Sequence, residues 1–152
     1  MSFPNEKVCV DASLVLKLVL AEEYSDRADS LWTRWIEKNI HIFAPPLLAF
    51  EVTSVIRNHV YRGNLTEEEG EMAFEAAFAL GVTFDYPEML HQKAWELARQ
   101  FNRPTAYDTH YLALALIEGC ELWTADKRLY NAVGGALSCV RWVGDYSCNS
   151  LA

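Results

Sequence analysis

The sequence lacks the features that mark several common protein classes. Its four cysteines form no CxxC pair and no short metal-type spacing, which argues against a zinc site and favours a reducing compartment. The longest early apolar stretch, residues 14–21, is interrupted by Lys17 and is too short to span a membrane. No basic segment precedes this stretch, so we expect neither a signal peptide nor a membrane anchor and predict a cytoplasmic protein.

The chain also lacks an excess of basic residues. It has 13 Lys and Arg against 21 Asp and Glu, a formal net charge of -8. This balance ordinarily argues against a protein that holds nucleic acid on a broad basic surface. However, a cluster of acids that binds divalent cations reverses its own local charge, and a bound metal can then meet a phosphate. Overall charge therefore does not exclude nucleic acid as a ligand.

The composition is that of one folded domain. The chain has 152 residues, of which 51% are hydrophobic and five are Trp, so it can bury one substantial core. We find no internal repeat, low-complexity tract or linker. We therefore expect a single domain over residues 1–146, followed by a loose, small and polar tail over residues 147–152.

Short apolar strands alternate with helical segments along the chain. The pattern predicts strands near 8–10, 41–44, 82–85, 122–124 and 139–143, and helices near 14–23, 25–38, 47–62, 66–80, 87–101, 104–118 and 127–133. Ser25 is expected to cap the second helix, and Thr66 with Glu69 has the spacing of a capping box. Strands that alternate with helices indicate a parallel sheet covered on both faces, so the predicted fold class is α/β.

Two acids follow predicted strands directly. Asp11 comes after the first strand and Asp126 after the strand that ends at Thr124. Open parallel sheets bind ligands beyond the carboxyl ends of their strands, and these two ends should lie at the same edge. The alternative for each acid is an ordinary helix cap, since a helix follows both.

Two further acids lie on helices. Glu51 borders the apolar stripe of its helix, where a solvated surface glutamate is the alternative. Asp108 shares a helical face with Tyr111 and Leu112, which turns it toward the packed side. Its alternative is a capping box with Thr105.

Taken together, four segments resemble the PIN-domain family, especially its VapC-type toxins. They are VDAS at 10–13, FEV at 50–52, YDTHYLALA at 107–115 and TADKRL at 124–129, and their order and spacing match over nearly the whole chain. The resemblance implies a Rossmann-like three-layer α/β/α sandwich with a five-stranded parallel sheet. It also implies that Asp11, Glu51, Asp108 and Asp126 hold Mg²⁺ or Mn²⁺, and that Ser13 and Thr124 support the acids by hydrogen bonding.

The resemblance further implies an activity and partners. PIN-domain proteins cleave single-stranded or structured RNA, and the toxin branch forms homodimers that a small antitoxin protein silences. We therefore expect a metal-dependent endoribonuclease, the toxin of a type II toxin–antitoxin pair. Four carboxylates that converge without a metal would repel one another, so the cluster is best explained as a site for hard cations. Hydrolysis by activated water predicts products with a 5′-phosphate and a 3′-hydroxyl.

Other interpretations stay open at this point. Arg57, Lys127 and Arg128 are candidate phosphate contacts, although single basic residues are more often solvated. The chain could be a PIN-domain RNA-processing nuclease outside a toxin–antitoxin pair, or a metal-free binding protein with the same fold. A phosphoaccepting signalling module would use Asp85 and Lys127 but lacks a paired acid beside Asp11. A haloacid-dehalogenase-type phosphatase is disfavoured because Ser13 stands where its second Asp would be.

Overall fold

The computed structural model describes residues 6–147. Five strands lie at Lys7–Val10 (β1), His41–Ala44 (β2), Thr83–Phe84 (β3), Glu121–Thr124 (β4) and Val140–Trp142 (β5). Seven helices lie at Ala12–Val19 (α1), Ser25–Glu37 (α2), Leu47–Tyr61 (α3), Glu67–Phe78 (α4), Leu90–Gln100 (α5), Tyr107–Glu118 (α6) and Lys127–Val133 (α7), and a short 3-10 helix follows at Val143–Asp145. The expected tail begins at Ser147, and its residues 148–152 lie outside the described range.

All five strands are parallel, in the order β3-β2-β1-β4-β5. β1 is central, because Cys9 pairs with Phe43 of β2 on one side and with Leu122 of β4 on the other. Val8, Cys9 and Val10 are all fully buried, as expected for a strand covered on both faces. The order reverses at β1, which makes its carboxyl end the switch point where such sheets form a ligand crevice.

The helices form two packed groups. α1 contacts α2, α3 and α4, whereas α5 and α6 pack mainly on each other, and α6 also contacts β1 and β4. The core includes Trp35, which is fully buried and lies 6.2 Å, ring to ring, from Trp123 of β4. This arrangement is the three-layer α/β/α architecture that the sequence predicted.

Several predicted boundaries are confirmed and others are wrong. β2, α7 and the Thr66–Glu69 capping box occur as predicted. The first helix ends at Val19 rather than near residue 23, and Ser25 caps no helix. Instead, the Ser25 hydroxyl donates to the carbonyl of Leu20 and accepts from the amide of Glu22, which stabilises the turn between α1 and α2.

Candidate active site

Asp11 lies at the carboxyl end of β1 and is almost fully buried, with 5% of its surface exposed. Its Oδ1 accepts hydrogen bonds from the Ser13 hydroxyl (2.6 Å) and the Leu14 amide (3.0 Å), and its Oδ2 accepts one from the Thr124 hydroxyl (2.5 Å). Burial raises the pKa of Asp11 to about 6 even though these three donors oppose the rise. Burial therefore disfavours the charged form of Asp11, whereas the hydrogen bonds from Ser13 and Thr124 favour it.

Ser13 and Thr124 connect two loops as well as holding Asp11. Each hydroxyl has one proton, and the hydrogen bonds direct both protons at Asp11. The Ser13 hydroxyl oxygen then accepts the Ala125 amide from the other loop, and the Thr124 hydroxyl oxygen accepts the Asp126 amide within its own loop, each at 2.9 Å. The end of β1 and the end of β4 are therefore fixed relative to each other by side chains whose polar atoms are all used.

Glu51 projects from α3 and is half-buried. Its Oε1 accepts a hydrogen bond from the hydroxyl of Tyr111 (2.5 Å), a residue of α6 that is 2% exposed. Burial raises the pKa of Glu51, and the negative charge of Asp108 raises it further. Burial and the neighbouring Glu51 carboxylate also raise the pKa of Tyr111, so the phenol keeps its proton and acts as a donor. The alternative of a solvated surface glutamate does not apply to Glu51.

Asp108 lies in the first turn of α6, close enough to two other acids to affect both. Its charge raises the pKa of Asp11 and of Glu51. The proposed capping box with Thr105 does not form, because the N-cap residue of α6 is Ala106 and no side chain caps this helix. Instead, Asp108 Oδ2 lies 3.4 Å from a guanidinium nitrogen of Arg103. Asp11, Glu51 and Asp108 therefore form one acidic site, drawn from β1, α3 and α6.

Asp126 is placed differently from the other three acids. Its Oδ1 caps α7 by accepting the amides of Arg128 (2.9 Å) and Leu129 (3.3 Å). It connects to Asp11 through the Thr124 hydroxyl, which accepts the Asp126 amide. The helix-cap alternative therefore describes the contacts of Asp126, while its backbone stays at the same edge of the sheet as Asp11.

The donors at this site suit a hard divalent cation. Asp11, Glu51 and Asp108 supply only carboxylate oxygens, which Mg²⁺ and Mn²⁺ prefer. Burial raises the pKa of Asp11 and of Glu51, and the charge of Asp108 adds to both shifts; a bound cation would offset both causes. Within residues 6–147, no three His, Cys, Asp or Glu side chains form a preorganised metal-binding group. The carboxylates therefore match such an ion in the chemistry of their donor atoms.

The three predicted phosphate contacts lie away from the acids or carry other contacts. Arg57 pairs with Glu67 of α4 at 3.4 Å, and the Lys127 ammonium lies 4.8 Å from the ring centroid of Trp142. Arg128 is exposed and contacts Asp126 through its backbone amide. The cation that does reach the acids, Arg103, was missed by sequence reasoning, because it lies in the loop before α6 and follows no helical spacing to Asp108.

The residues of the phosphoaccepting alternative are also separated from Asp11. The Asp85 carboxyl is hydrogen-bonded to Glu118, which raises the pKa of Asp85, and Lys7 pairs with the same glutamate at 2.9 Å. Lys127 lies over Trp142. Asp85 and Lys127 therefore contact Glu118 and Trp142 respectively, and these contacts do not support a phosphoaccepting site.

Two grooves flank α3, each with a volume of about 370 Å³. The one we call the aromatic groove lies between α3 and the start of α6 and is lined by Leu47, Phe50, Glu51, Ser54, Val55 and Tyr107. The one we call the acidic groove lies between α3 and α4, and its lining includes three glutamates, Glu67, Glu71 and Glu75, against one cation, Arg57. Only the aromatic groove shares a wall, Glu51, with the acidic site.

Comparison with known proteins identifies relatives over most of the chain. Residues 8–135 match the family described as PIN domain. Ribonuclease VapC3 of Pyrobaculum aerophilum is 34% identical over 127 residues, which cover 81% of this chain and 92% of that protein. Ribonuclease VapC9 of Mycobacterium tuberculosis is 31% identical over 123 residues, 80% of this chain and 87% of that protein. Ribonuclease VapC1 of the same species is 28% identical over 130 residues, with 85% and 92% covered.

Between residues 6 and 147, no helix is long and apolar enough to cross a bilayer.

Proposed function

The chain belongs to the PIN-domain family, and from this membership we propose that it is a cytoplasmic, metal-dependent endoribonuclease that hydrolyses RNA phosphodiester bonds. The relatives named VapC ribonucleases support a role as the toxin of a type II toxin–antitoxin pair. The observation that carries the proposal is the acidic site itself. At the switch point of the sheet, the Asp108 carboxylate of α6 lies within electrostatic reach of both Asp11, at the end of β1, and Glu51 of α3.

We propose that Asp11, Glu51, Asp108 and Asp126 are the catalytic acids and hold Mg²⁺ or Mn²⁺. When bound, such an ion would lower the pKa of a water molecule and neutralise negative charge on the phosphate. Oxygen-only donors and the repulsion among the acids support this assignment. Asp126 would have to ligate the ion through Oδ2, or rotate away from the α7 amides that its Oδ1 accepts. Of the four assignments, that of Asp126 therefore has the least support from side-chain contacts.

The protein's own groups have distinct tasks in this proposal. The protons of Ser13 and Thr124 orient Asp11, and the Tyr111 hydroxyl orients Glu51, so that both carboxylates keep fixed oxygens facing the site. Arg103 beside Asp108 is the cation best placed to contact a phosphate oxygen. No side chain acts as a covalent nucleophile, so the products should carry a 5′-phosphate and a 3′-hydroxyl. A 2′,3′-cyclic phosphate would refute this route.

We further propose that residues 1–146 form the nuclease domain, that the protein is a homodimer, and that a small antitoxin protein inhibits it. The names of the relatives support the toxin–antitoxin assignment. A short open reading frame directly upstream, encoding a DNA-binding N-terminal half, would support the antitoxin. An RNA-processing nuclease outside such a pair would lack this neighbour.

The proposed function is tested by Mn²⁺-dependent cleavage of a mixed RNA pool. Wild type and Glu71→Gln, a change in the exposed acidic groove, should cleave equally, whereas Asp11→Asn should lose at least about a hundredfold in rate. Equal activity of wild type and Asp11→Asn would refute the site assignment. Absence of cleavage by wild type under all divalent cations would refute the nuclease itself.

A further inference from the structure

Two exposed aromatic side chains stand directly beside the acids in sequence. Phe50 precedes Glu51 and is 72% exposed, and Tyr107 precedes Asp108 and is 60% exposed. Large exposed rings are informative when they gather at one place, because scattered single ones are ordinary on a protein surface. Here both rings line the aromatic groove, one from α3 and one from the start of α6.

The aromatic groove is continuous with the acidic site. Glu51 is one of its walls, and the same Glu51 carboxylate accepts the Tyr111 hydroxyl and interacts with Asp108. A polymer whose phosphodiester lies at the acids can therefore extend a neighbouring unit over this groove. The groove volume of about 370 Å³ is within the range of pockets that bind small planar ligands.

Charge separates the two grooves that flank α3. In the aromatic groove the single ionisable acid is Glu51, which already belongs to the site, and the remaining lining is apolar, hydroxyl-bearing or aromatic. In the acidic groove three glutamates face one arginine, which repels a polyanion. The aromatic groove therefore offers a strand of RNA at the acidic site a path over Phe50 and Tyr107 that avoids the glutamates of the acidic groove.

We propose that the aromatic groove binds an unpaired nucleobase of the RNA substrate, adjacent to the cleaved phosphodiester, by stacking on Phe50 and Tyr107. This inference rests on the proposed function. Every base presents a π-face, so stacking of this kind tolerates sequence and selects for single-stranded substrate. A base inside a duplex is already stacked on its neighbours and cannot enter the groove. The groove therefore makes Phe50 and Tyr107 determinants of substrate structure rather than of base identity.

The test compares groove variants with matched exposed aromatics elsewhere. Steady-state cleavage of a labelled single-stranded RNA in Mn²⁺ is measured for wild type, Phe50→Ala and Tyr107→Ala. The controls are Trp95→Ala, which removes a ring that is 70% exposed on α5, and Tyr61→Ala, a ring 79% exposed at the far end of α3. Each groove variant should raise KM about tenfold with kcat changed by less than about threefold, while both controls match wild type. Tyr107→Phe, which keeps the ring, should restore the wild-type KM.

A substrate with an abasic nucleotide beside the cleavage position isolates the stacking contact. Wild type should lose about tenfold in kcat/KM on this RNA, and Phe50→Ala should lose little more, because the base and the ring act as one pair. If the abasic substrate and the Phe50→Ala change each lower kcat/KM and the two losses add, the inference is wrong. Groove variants that match the controls on intact RNA would overturn it as well, while the nuclease activity of wild type would leave the proposed function standing.

A second copy of the chain is the competing occupant of the groove. Sedimentation of wild type and Phe50→Ala distinguishes the two cases. If Phe50→Ala converts a dimer into monomers and its KM effect disappears at high protein concentration, the groove is a self-association surface and the inference is wrong. An unchanged oligomeric state with the raised KM supports base stacking. Absence of any cleavage by wild type would overturn the inference together with the proposed function.

Discussion

The acids on the two sides of α3 behave in opposite ways. At the acidic site, Asp11 is buried and Glu51 half-buried, and burial raises the pKa of both. Along α4, by contrast, the glutamates are exposed, and hydrogen bonds from Thr66 lower the pKa of Glu69. An acid held where its charge is unfavourable costs folding free energy, and such acids cluster at functional sites. An acid with a lowered pKa at a helix start stabilises the fold and needs no other explanation.

The comparison also separates two roles of hydroxyl side chains. Thr66 caps α4 as one half of a capping box, accepting the Glu69 amide at 3.0 Å while its own amide donates to the Glu69 carboxylate. Thr124 and Ser13 instead both donate to the buried carboxylate of Asp11, and Ser13 also accepts the Ala125 amide from the neighbouring loop. The first pattern is local in sequence, whereas the second joins β1 to β4 across more than a hundred residues. Only the second builds a site.

The largest expected contrast is in catalysis. Glu51→Gln removes a charge from the acidic site and should lower kcat about a hundredfold, while Glu71→Gln in the acidic groove should change it by less than about twofold. Both changes are isosteric, so each removes a charge without changing the shape of the side chain. The comparison fails if the two variants have the same cleavage rate in Mn²⁺.

A smaller contrast is expected in stability against pH. The pKa of Asp11 rises from 3.8 when unfolded to about 6 when folded, so the native state binds the proton more tightly. Stability from this group is therefore present below about pH 4 and is lost as pH rises through 6, by roughly 2–3 kcal/mol in metal-free solution.

Urea denaturation in EDTA measures this contribution. The difference in unfolding free energy between Asp11→Asn and wild type should grow in favour of the variant from pH 4 to pH 7, since asparagine does not ionise. Other titrating groups cancel in the difference. A difference that stays constant over this range would mean that Asp11 titrates normally.

The smallest contrast concerns the start of α4. Thr66→Ala removes the N-cap of α4 and should destabilise the protein by about 1 kcal/mol without changing the cleavage rate. Urea denaturation at pH 7 and the RNA assay together measure both quantities. If Thr66→Ala loses activity at unchanged stability, Thr66 has a role in catalysis, and the contrast between the acidic site and α4 is wrong.

Much of this arrangement could be predicted from local sequence patterns. The positions of Asp11 and Asp126 follow from strand ends, because a parallel sheet brings the carboxyl ends of neighbouring strands to one edge. The Thr66–Glu69 capping box and the bounds of α7 follow from spacing alone. These features depend on contacts within a few residues, which is the range over which sequence patterns are informative.

The remaining features depend on how distant elements pack. The contact between Glu51 and Tyr111 requires the crossing of α3 and α6, and no pattern within either helix specifies it. Arg103 reaches Asp108 through the loop between α5 and α6, whose conformation was not predictable. Arg57 is a predicted phosphate contact, but its guanidinium lies 3.4 Å from Glu67 of α4, a pairing that depends on how α3 and α4 pack.

The central claim is that the acids at the end of β1 gather around a divalent cation, whereas the acids beside α4 do not. Mn²⁺ titration followed by melting temperature tests it most directly, because an ion that binds only the native state raises that temperature. We expect a saturable rise for wild type and for Glu71→Gln, and none for Asp11→Asn. The same rise in Asp11→Asn, or its loss in Glu71→Gln, would contradict the account.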